Sequence, residues 1–501
     1  MNVRISAAPA PLIERRLRPS VGILRTTHAS AEILVHAIAQ LPDAVSLDLP
    51  AALPTRRRLQ LLATAYGIQE RIRFTNDRVE GKSVNQRSVP IDDLLGSRKT
   101  FAEIVEALTL PDDPPASLRN ADALLEGQRV AVVTNLPTHY RVPLFSRMSQ
   151  RLDAVNAGFR VFFLAKDTQT RPWLTADAGL DFGHEYTRSI RLPVAERPPI
   201  APLDLEYRLR RFAPTVVLAG GFSPLVSSRL ARVARLHRAA YGIWSGETRT
   251  QAMSRSPLRR RQRSALVNRA DFAVAYGFES ASYLHDLRPD VPLVYGRNTS
   301  PAILSAGTEV RSGRSGEVEV LVVGDLASER KGVDIAIEAI RSCPTLRCRL
   351  TVIGDGKVLP ELHHAAGGDT RVRFLGSQPP TEVARAFGSA DIVLFPTRSD
   401  IFGLVLVEAM GAGVATVASG VAGAVADLAV DGLNCLVAPD NEPRTWANCL
   451  SRLVADPVLR QELGNNARAT IARRWTMDHA ADSMLAGLRL GVLTMRGVSG
   501  T

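Results

Sequence analysis

The sequence predicts an α/β protein built from repeated strand and helix units, and three observations carry that expectation. Short, continuously apolar runs recur and end in polar or glycine-bearing loops, as at Arg129 to Thr134, Thr215 to Ala219, Leu321 to Gly324 and Ile392 to Pro396. Such runs suit strands of a parallel sheet buried on both faces. Segments with helical spacing, such as Ile335 to Pro344, follow them. Finally, 501 residues with 45% hydrophobic composition suffice for about three domains with real cores.

The totals narrow the classes of function. Lys and Arg number 62 against 50 Asp and Glu, a formal charge of +12, so the chain is basic and mostly through arginine. That balance is compatible with nucleic acid, an anionic membrane surface or phosphorylated ligands. Nucleic acid would call for aromatic interleaving or a recognisable binding module, and neither is present. The four cysteines, Cys343, Cys348, Cys435 and Cys449, show neither metal-type spacing nor the density of a secreted scaffold, so a reducing cytoplasm is the expected setting. The N-terminus has charge but no apolar core of signal-peptide length. The long apolar stretch Ile401 to Val430 is broken by Glu408, Asp427 and glycines, which fits strand and helix alternation rather than a membrane span.

Taken in order, residues 1–20 read as a flexible arm. Residues 21–111 read as an α/β extension whose order of elements resembles that of 320–375: Val21 to Leu24 against Leu321 to Gly324, Ile33 to Pro42 against Ile335 to Pro344, and Arg71 to Phe74 against Arg371 to Phe374. Two readings stand, a degenerate repeat of the C-terminal half or the general likeness of any such segments. Ala31 stands opposite Lys331, and Arg98 and Lys99 occupy the neighbourhood of an acid in the second copy, so no active site is expected there.

Residues 112–127, with Pro114 and Pro115, read as a linker. A Rossmann-like domain is expected over 128–300. In it, His139 and Arg141 follow the first strand, Gly220 and Gly221 end another, and Glu247 closes the strand Ala240 to Ser245. Strand C-terminal ends are where open α/β sheets bind ligands, so His139, Arg141 and Glu247 are candidates for ligand contact. The basic run Arg255 to Arg263 is either a solvated helix face or a contact with an anionic membrane surface. A second Rossmann-like domain is expected over 316–475, after a connecting segment that ends near Ser315. Residues 476–501 read as a terminal helix crossing back onto the first domain, with a loose tail from Arg496.

The richest stretch is Thr397 to Gly411. It reads as the end of a buried strand, a polar loop carrying Asp400, Gly403 at a helix entrance, then a helix carrying Glu408. Two carboxylates are thereby set beside the N–H groups and positive dipole end of a helix, which favour an anion. A ligand both hydroxylated and phosphorylated suits that combination. A nucleotide-sugar has both properties.

This stretch resembles the acid-x7-acid motif of retaining GT-B glycosyltransferases of family 4, the glycosyl transferases group 1, of bacterial polysaccharide and glycolipid type. The resemblance continues through Gly324 to Gly332, Val352 to Gly356, Arg371 to Gly376 and Asp431 to Asn434, in order over about 320–475. Two carboxylates eight apart would by themselves mark only a solvated helix face; the ordered set is what makes the pattern specific. The resemblance implies a GT-B fold, two Rossmann-like domains facing a cleft, the first of them the acceptor side with His139, Arg141 and Glu247 as its candidates, here with the N-terminal α/β extension added. It implies a hexosyltransferase-type enzyme moving a sugar from a nucleotide-sugar donor to a hydroxyl of a saccharide or lipid-linked saccharide acceptor with retention. No metal and no cofactor are implied, the nucleotide-sugar being a substrate, and the setting would be the cytoplasm or the inner face of the membrane.

By the same resemblance Glu408 binds the donor ribose, Asp400 holds a hydroxyl of the transferred sugar, and Lys331 neutralises the diphosphate. Gly324, Arg330, Gly354, Gly376, Gly403 and Leu404 complete the donor site, with Gly356 beside Gly354. The chain departs from the common pattern at Asp400, where members commonly carry Glu, at Asp325, where many carry Arg, and in the first loop, which lacks a glycine pair. These departures leave an alternative: a non-catalytic GT-B protein that binds a nucleotide-sugar or a partner transferase.

Overall fold

The computed structural model describes residues 4–6, 35–36, 46–50, 56–66, 72–75, 102, 122–166, 179–191, 200–253, 257–301 and 316–498. The chain forms two compact units, one from residues 1–297 with 477–501 and the other from residues 298–476. The expected α/β class holds in both.

A small three-stranded sheet lies at the start of the first unit, in the order β1 (Arg4–Ser6), β2 (Ser46–Pro50), β3 (Ile72–Thr75). Arg4–Ser6, expected as part of a loose arm, is a strand paired antiparallel with β2. The helix Arg56–Tyr66 joins β2 to β3, which run parallel, with Leu47, Asp48 and Leu49 opposite Ile72, Arg73 and Phe74. The strand, helix and strand ending at Phe374 share that register, with Leu350, Thr351 and Val352 opposite Val372, Arg373 and Phe374. Beyond Val35, His36 and Ala102, the other segments of the expected repeat lie outside the described residues.

The first unit is dominated by a seven-stranded sheet. Its strands are β4 (Arg129–Thr134), β5 (Gly158–Phe163), β6 (His184–Tyr186), β9 (Val216–Gly220), β10 (Ala240–Ser245), β11 (Phe272–Tyr276) and β12 (Leu293–Gly296); a hairpin of β7 (Ser189–Arg191) and β8 (Ile200–Pro202) stands apart. The order β12-β11-β10-β9-β4-β5-β6 is parallel throughout. The chain therefore turns from one direction of sheet growth to the other between β4 and β9.

The terminal helix Met477–Val498 packs on this unit against the helix Val142–Asp153 and the strands β10 to β12. It runs through Arg496, so the tail expected to be loose there is helical to Val498. Its Arg489 is fully buried, bonds the Ala65 carbonyl at 2.6 Å and pairs with Asp122 at 2.5 Å. Asp122 belongs to a 3-10 turn over Asp122–Leu125 and also accepts from Arg151 Nε at 2.7 Å. The end of the expected linker 112–127 is thus a buried anchor, because a carboxylate between two arginines has to stay with them. The N-terminal helix is held from a second side as well: the Tyr66 hydroxyl accepts from the Tyr295 N–H at 3.1 Å, and the His36 ring stacks on Tyr295.

The second unit holds a six-stranded parallel sheet of β13 (Val318–Val323), β14 (Cys348–Ile353), β15 (Val372–Phe374), β16 (Ile392–Phe395), β17 (Ala415–Ser419) and β18 (Leu436–Ala438). Its order is β15-β14-β13-β16-β17-β18, so growth reverses between β13 and β16. Alternate residues feed two cores. Val320, Val322, Ile392 and Leu394 join Ile337, Ile340, Trp446 and Leu450 on one face, while Leu321 and Val393 join Phe387, Ala409 and Val414 on the other. Burial on both faces is why these strands read as unbroken apolar runs.

Candidate active site

In an open parallel sheet, loops diverge at the point where strand order reverses, and the crevice left there is the usual ligand site. In the second unit that point lies between β13 and β16, and the loops leaving those two strands carry Lys331 and Asp400. The Lys331 ammonium forms an ion pair with the Asp400 carboxylate, and both side chains are largely buried. Arg330 Nη1 lies 3.7 Å from the other side of that carboxylate and donates to the Ser399 carbonyl at 3.0 Å. The loops are stitched together by backbone as well, Arg398 N–H reaching the Arg330 carbonyl at 2.8 Å and the Thr397 hydroxyl the same oxygen at 3.1 Å.

The glycines divide by role. The stem of Lys331 runs against Gly324, where a Cβ would come within 3.0 Å of the Lys331 Cγ. Gly403, with φ +105°, turns the chain into the helix Leu404–Gly411, and a Cβ there would strike the Phe395 ring at 2.7 Å. Leu404 is the first residue of that helix, whose opening N–H groups lack intrahelical acceptors. Gly354 N–H donates to the Gly376 carbonyl at 2.9 Å, which ties the loop after β14 to the turn after β15.

Glu408 accepts a hydrogen bond from the Ser300 hydroxyl at 2.7 Å. Burial pushes its carboxyl up to about 7, against the opposing pull of Ser300 and Lys331. Ser300 belongs to a stretch that nothing in the local sequence marks as functional. It is positioned by its neighbours: the Trp475 indole donates to the Asn298 carbonyl at 2.9 Å, the Thr299 hydroxyl donates to the Trp475 carbonyl at 2.9 Å, and the Trp475 ring stacks on Phe402. Residues 298–300, expected to close the preceding domain, therefore belong to the second unit. Asp325 accepts from the Ala327 N–H at 3.1 Å in a local turn.

In the first unit, order reverses between β4 and β9. Arg141, in the turn after β4, spans the C-terminal edge from there: its Nη1 donates to Thr134 at the end of β4 at 2.7 Å, and its Nη2 to the Tyr276 hydroxyl at the end of β11 at 3.1 Å. Its guanidinium carbon lies 4.9 Å from the Trp244 ring centroid, on β10. Burial works against the Arg141 charge, and Tyr276 and Tyr140 more than offset it, so the group stays protonated. His139 lies in the same turn, edge-on to Tyr140. Glu247 follows β10 but is ion-paired with Arg263, the last arginine of the basic run, so these two candidates for different partners hold each other. Arg259, Arg260 and Arg261 are exposed, while Arg255 lies outside the described residues. Thr134, Trp244 and Tyr276 escaped sequence reading, since an apolar or hydroxyl residue at a strand end carries no local signal.

Comparison with known proteins agrees with this architecture. The fold is GT-B, shared with Anabaena HepE in complex with UDP and glucose (18% identity, TM-score 0.54, covering 71% of this chain and 98% of that one). It is shared equally with sucrose-phosphate synthase from Thermosynechococcus elongatus (17%, TM-score 0.57, 71% and 97%). The fold is thus that of a GT-B protein.

More particularly, residues 317–456 match the model of the glycosyl transferases group 1. D-inositol 3-phosphate glycosyltransferase from Xylanimonas cellulosilytica is 30% identical over 214 residues, 40% of this chain and 50% of that protein. The protein of the same name from Corynebacterium diphtheriae is 28% identical over 264 residues, 48% and 59% respectively. The chain thus spans about half the length of the curated relatives it matches.

Proposed function

We propose that this chain is a retaining glycosyltransferase, moving a hexose from a nucleotide-sugar donor to a hydroxyl of a saccharide or lipid-linked saccharide. The observation that carries the reading is the meeting of Lys331, Arg330 and Asp400 at the reversal point of the second unit, with Glu408 on the helix that follows. That constellation lies within the segment matching group 1. HepE is described with UDP and glucose bound, which supports a nucleotide-sugar as donor.

In this reading Glu408, once ionised, accepts the two ribose hydroxyls of the donor. Lys331, Arg330 and the first N–H groups of the helix Leu404–Gly411 face the diphosphate and stabilise the negative charge it gains as the anomeric bond breaks. Asp400 accepts a hydroxyl of the transferred sugar and lies where positive charge develops. The acceptor hydroxyl forms the new bond on the face the diphosphate leaves, and its proton passes to a diphosphate oxygen. Neutralisation by these groups needs no metal ion or cofactor. Asp325 accepts from the Ala327 N–H in a local turn, an engagement that supports donor binding in either reading, since a carboxylate facing the diphosphate would oppose it.

The setting is read as cytoplasmic, supported by four free cysteines. Among the described residues no helix is long and apolar enough to cross a membrane. The exposed start of the helix Pro257–Val267, with Leu258 76% exposed beside Arg259, Arg260 and Arg261, supports contact with an anionic surface.

The test is thermal stabilisation of the wild type and Glu408→Ala by UDP, GDP, ADP and their sugar conjugates. Transfer from the stabilising donor follows, with the anomeric configuration of the product read by NMR. Stabilisation by one nucleotide that disappears in the variant supports the reading. A chain that no nucleotide stabilises at millimolar concentration is not a donor-binding enzyme.

A further inference from the structure

Asp400 and Glu408 lie on different elements, a loop and a helix, yet both lead to one side chain. Trp475 caps the helix Pro457–Arg474, its N–H donating to the Ile471 carbonyl at 2.8 Å. That helix packs against the helix Leu404–Gly411, which carries Glu408. The approach is close enough that a Cβ added at Gly464 would collide with the Gly413 carbonyl, just past the end of the Glu408 helix. Trp475, fully buried, is therefore carried on a rigid support.

One arm runs from it to Glu408. The indole N–H holds the Asn298 carbonyl and the Trp475 carbonyl holds the Thr299 hydroxyl, both at 2.9 Å, so successive residues are clamped. The next residue is Ser300, whose hydroxyl donates to Glu408. A core position needs only volume from a ring. Here the polar groups of Trp475 are engaged by the segment that aims Ser300.

A second arm runs to Asp400. The Trp475 ring lies nearly parallel to that of Phe402, at 7° with centroids 6.0 Å apart, within the range of offset aromatic pairs. Phe402 stands two residues after Asp400. The backbone between them is tied at both ends, by a bridge from Asp400 to Ala422 and by the Ala424 N–H donating to the Phe402 carbonyl at 2.7 Å. A loop tied in this way moves as one piece, so the ring against which Phe402 rests also sets the place of Asp400.

We propose that Trp475 is a positioning residue for the donor, holding Glu408 toward the ribose through Asn298, Thr299 and Ser300, and Asp400 toward the transferred sugar through Phe402. The inference rests on the proposed roles of Asp400 and Glu408 as donor contacts. It adds that a single residue far outside their motif sets both.

The experiment measures binding of UDP, GDP, ADP and their glucose conjugates to the full chain, and carries forward the nucleotide and conjugate that the wild type binds. Ser300→Ala sets the scale for the ribose arm and Asp400→Asn for the sugar arm. Thr299→Val and Trp475→Phe should weaken nucleotide and conjugate alike, about three- to tenfold, and add little in a Ser300→Ala background. Phe402→Leu should leave the bare nucleotide unchanged and weaken the conjugate. Trp475→Leu should do both. Trp475→Phe should also move the pH midpoint of conjugate binding upward, as Ser300→Ala does. A tryptophan that only fills the core would lower the melting temperature and leave that midpoint in place.

The proposal is overturned if Trp475→Phe leaves affinity and midpoint unchanged, or if its loss adds in full to that of Ser300→Ala. It is equally overturned if Phe402→Leu weakens nucleotide and conjugate alike, or neither. Should Trp475→Leu fail to fold, Thr299→Val, Trp475→Phe and Phe402→Leu decide. A wild type that binds none of the nucleotides sinks the proposed activity and this inference with it. Binding by the wild type that the variants retain in full sinks the inference alone.

Discussion

The Lys331 ammonium and the Asp400 carboxylate, carried on loops that leave two adjacent strands, are joined in an ion pair in the ligand-free chain. Each is thereby held in place by the other. In the proposed reading each has a separate task once the diphosphate and the sugar arrive, so binding would exchange this pair for contacts to ligand and couple the two residues energetically.

Replacing Lys331 by Ala should reduce transfer about a hundredfold or more, the scale for loss of a preorganised charge at a leaving group. Asp400→Asn should lower kcat while leaving nucleotide binding nearly unchanged, since its partner is the sugar. The double variant should lose less than the sum of the two singles, because either change already breaks the pair. Steady-state kinetics on the four proteins measure this; strict additivity would show that the pair is incidental.

Activity should persist when divalent ions are removed with EDTA, because in the proposed reading Lys331, Arg330 and the helix N-terminus supply the neutralising charge. Transfer that stops on chelation and returns with magnesium would show that these groups do not suffice.

The raised Glu408 carboxyl links folding to pH. Its folded-state value, about 7, lies above the ordinary 4.5, so between those values the folded state holds the extra proton. Stability should therefore fall as pH rises from about 4.5 to about 7 by up to ~3 kcal/mol for this group, less insofar as solvent reaches it. Glu408→Gln should flatten that part of the profile in denaturant titrations. Donor affinity has the opposite slope. UDP-glucose, whose diphosphate does not titrate in this range, should bind more tightly as pH rises through 7 and Glu408 ionises. Ser300→Ala removes a group that favours the ionised form and should move that midpoint upward. A pH-independent affinity would rule out the carboxylate as the ribose acceptor.

Arg489→Ala should destabilise the first unit by about 3 kcal/mol or more, leaving Asp122 and Asp482 with Arg151 alone in a buried site. Because Arg489 also holds the Ala65 carbonyl, hydrogen exchange should rise first in the helix Arg56–Tyr66. Equal loss of protection throughout the chain would show that the arginine does not specifically anchor the N-terminal helix.

Substituting Gln for Arg259, Arg260 and Arg261 together should reduce sedimentation with vesicles containing anionic phospholipid, by about 1 kcal/mol per residue at low salt. Arg263 is left in place because it is engaged with Glu247. Unchanged sedimentation would assign the exposed run to solvent.

Much of this protein is readable along its chain. Period and run length identify the doubly buried strands, since an apolar residue at every position is what a sheet covered on both faces requires. The order of Gly324, Lys331, Asp400, Gly403 and Glu408 marks the second unit's candidate site through its resemblance to the family pattern, and strand ends and helix starts are where such residues sit. Pairing is different. Ser300 meets Glu408, Arg489 meets Asp122, and Arg141 reaches Tyr276 across separations that no local pattern encodes. Whether a charge is cancelled is equally a tertiary fact. Glu247, Arg263 and Arg141 all read as candidates for a partner; the first two fold into one ion pair, whereas Arg141 folds against the neutral groups of Thr134, Tyr276 and Trp244. Which elements form, and where their chemistry-bearing ends lie, is written in the order of residues. Which charges keep their counter-ions is settled by folding, because desolvation depends on what the rest of the chain packs around each group.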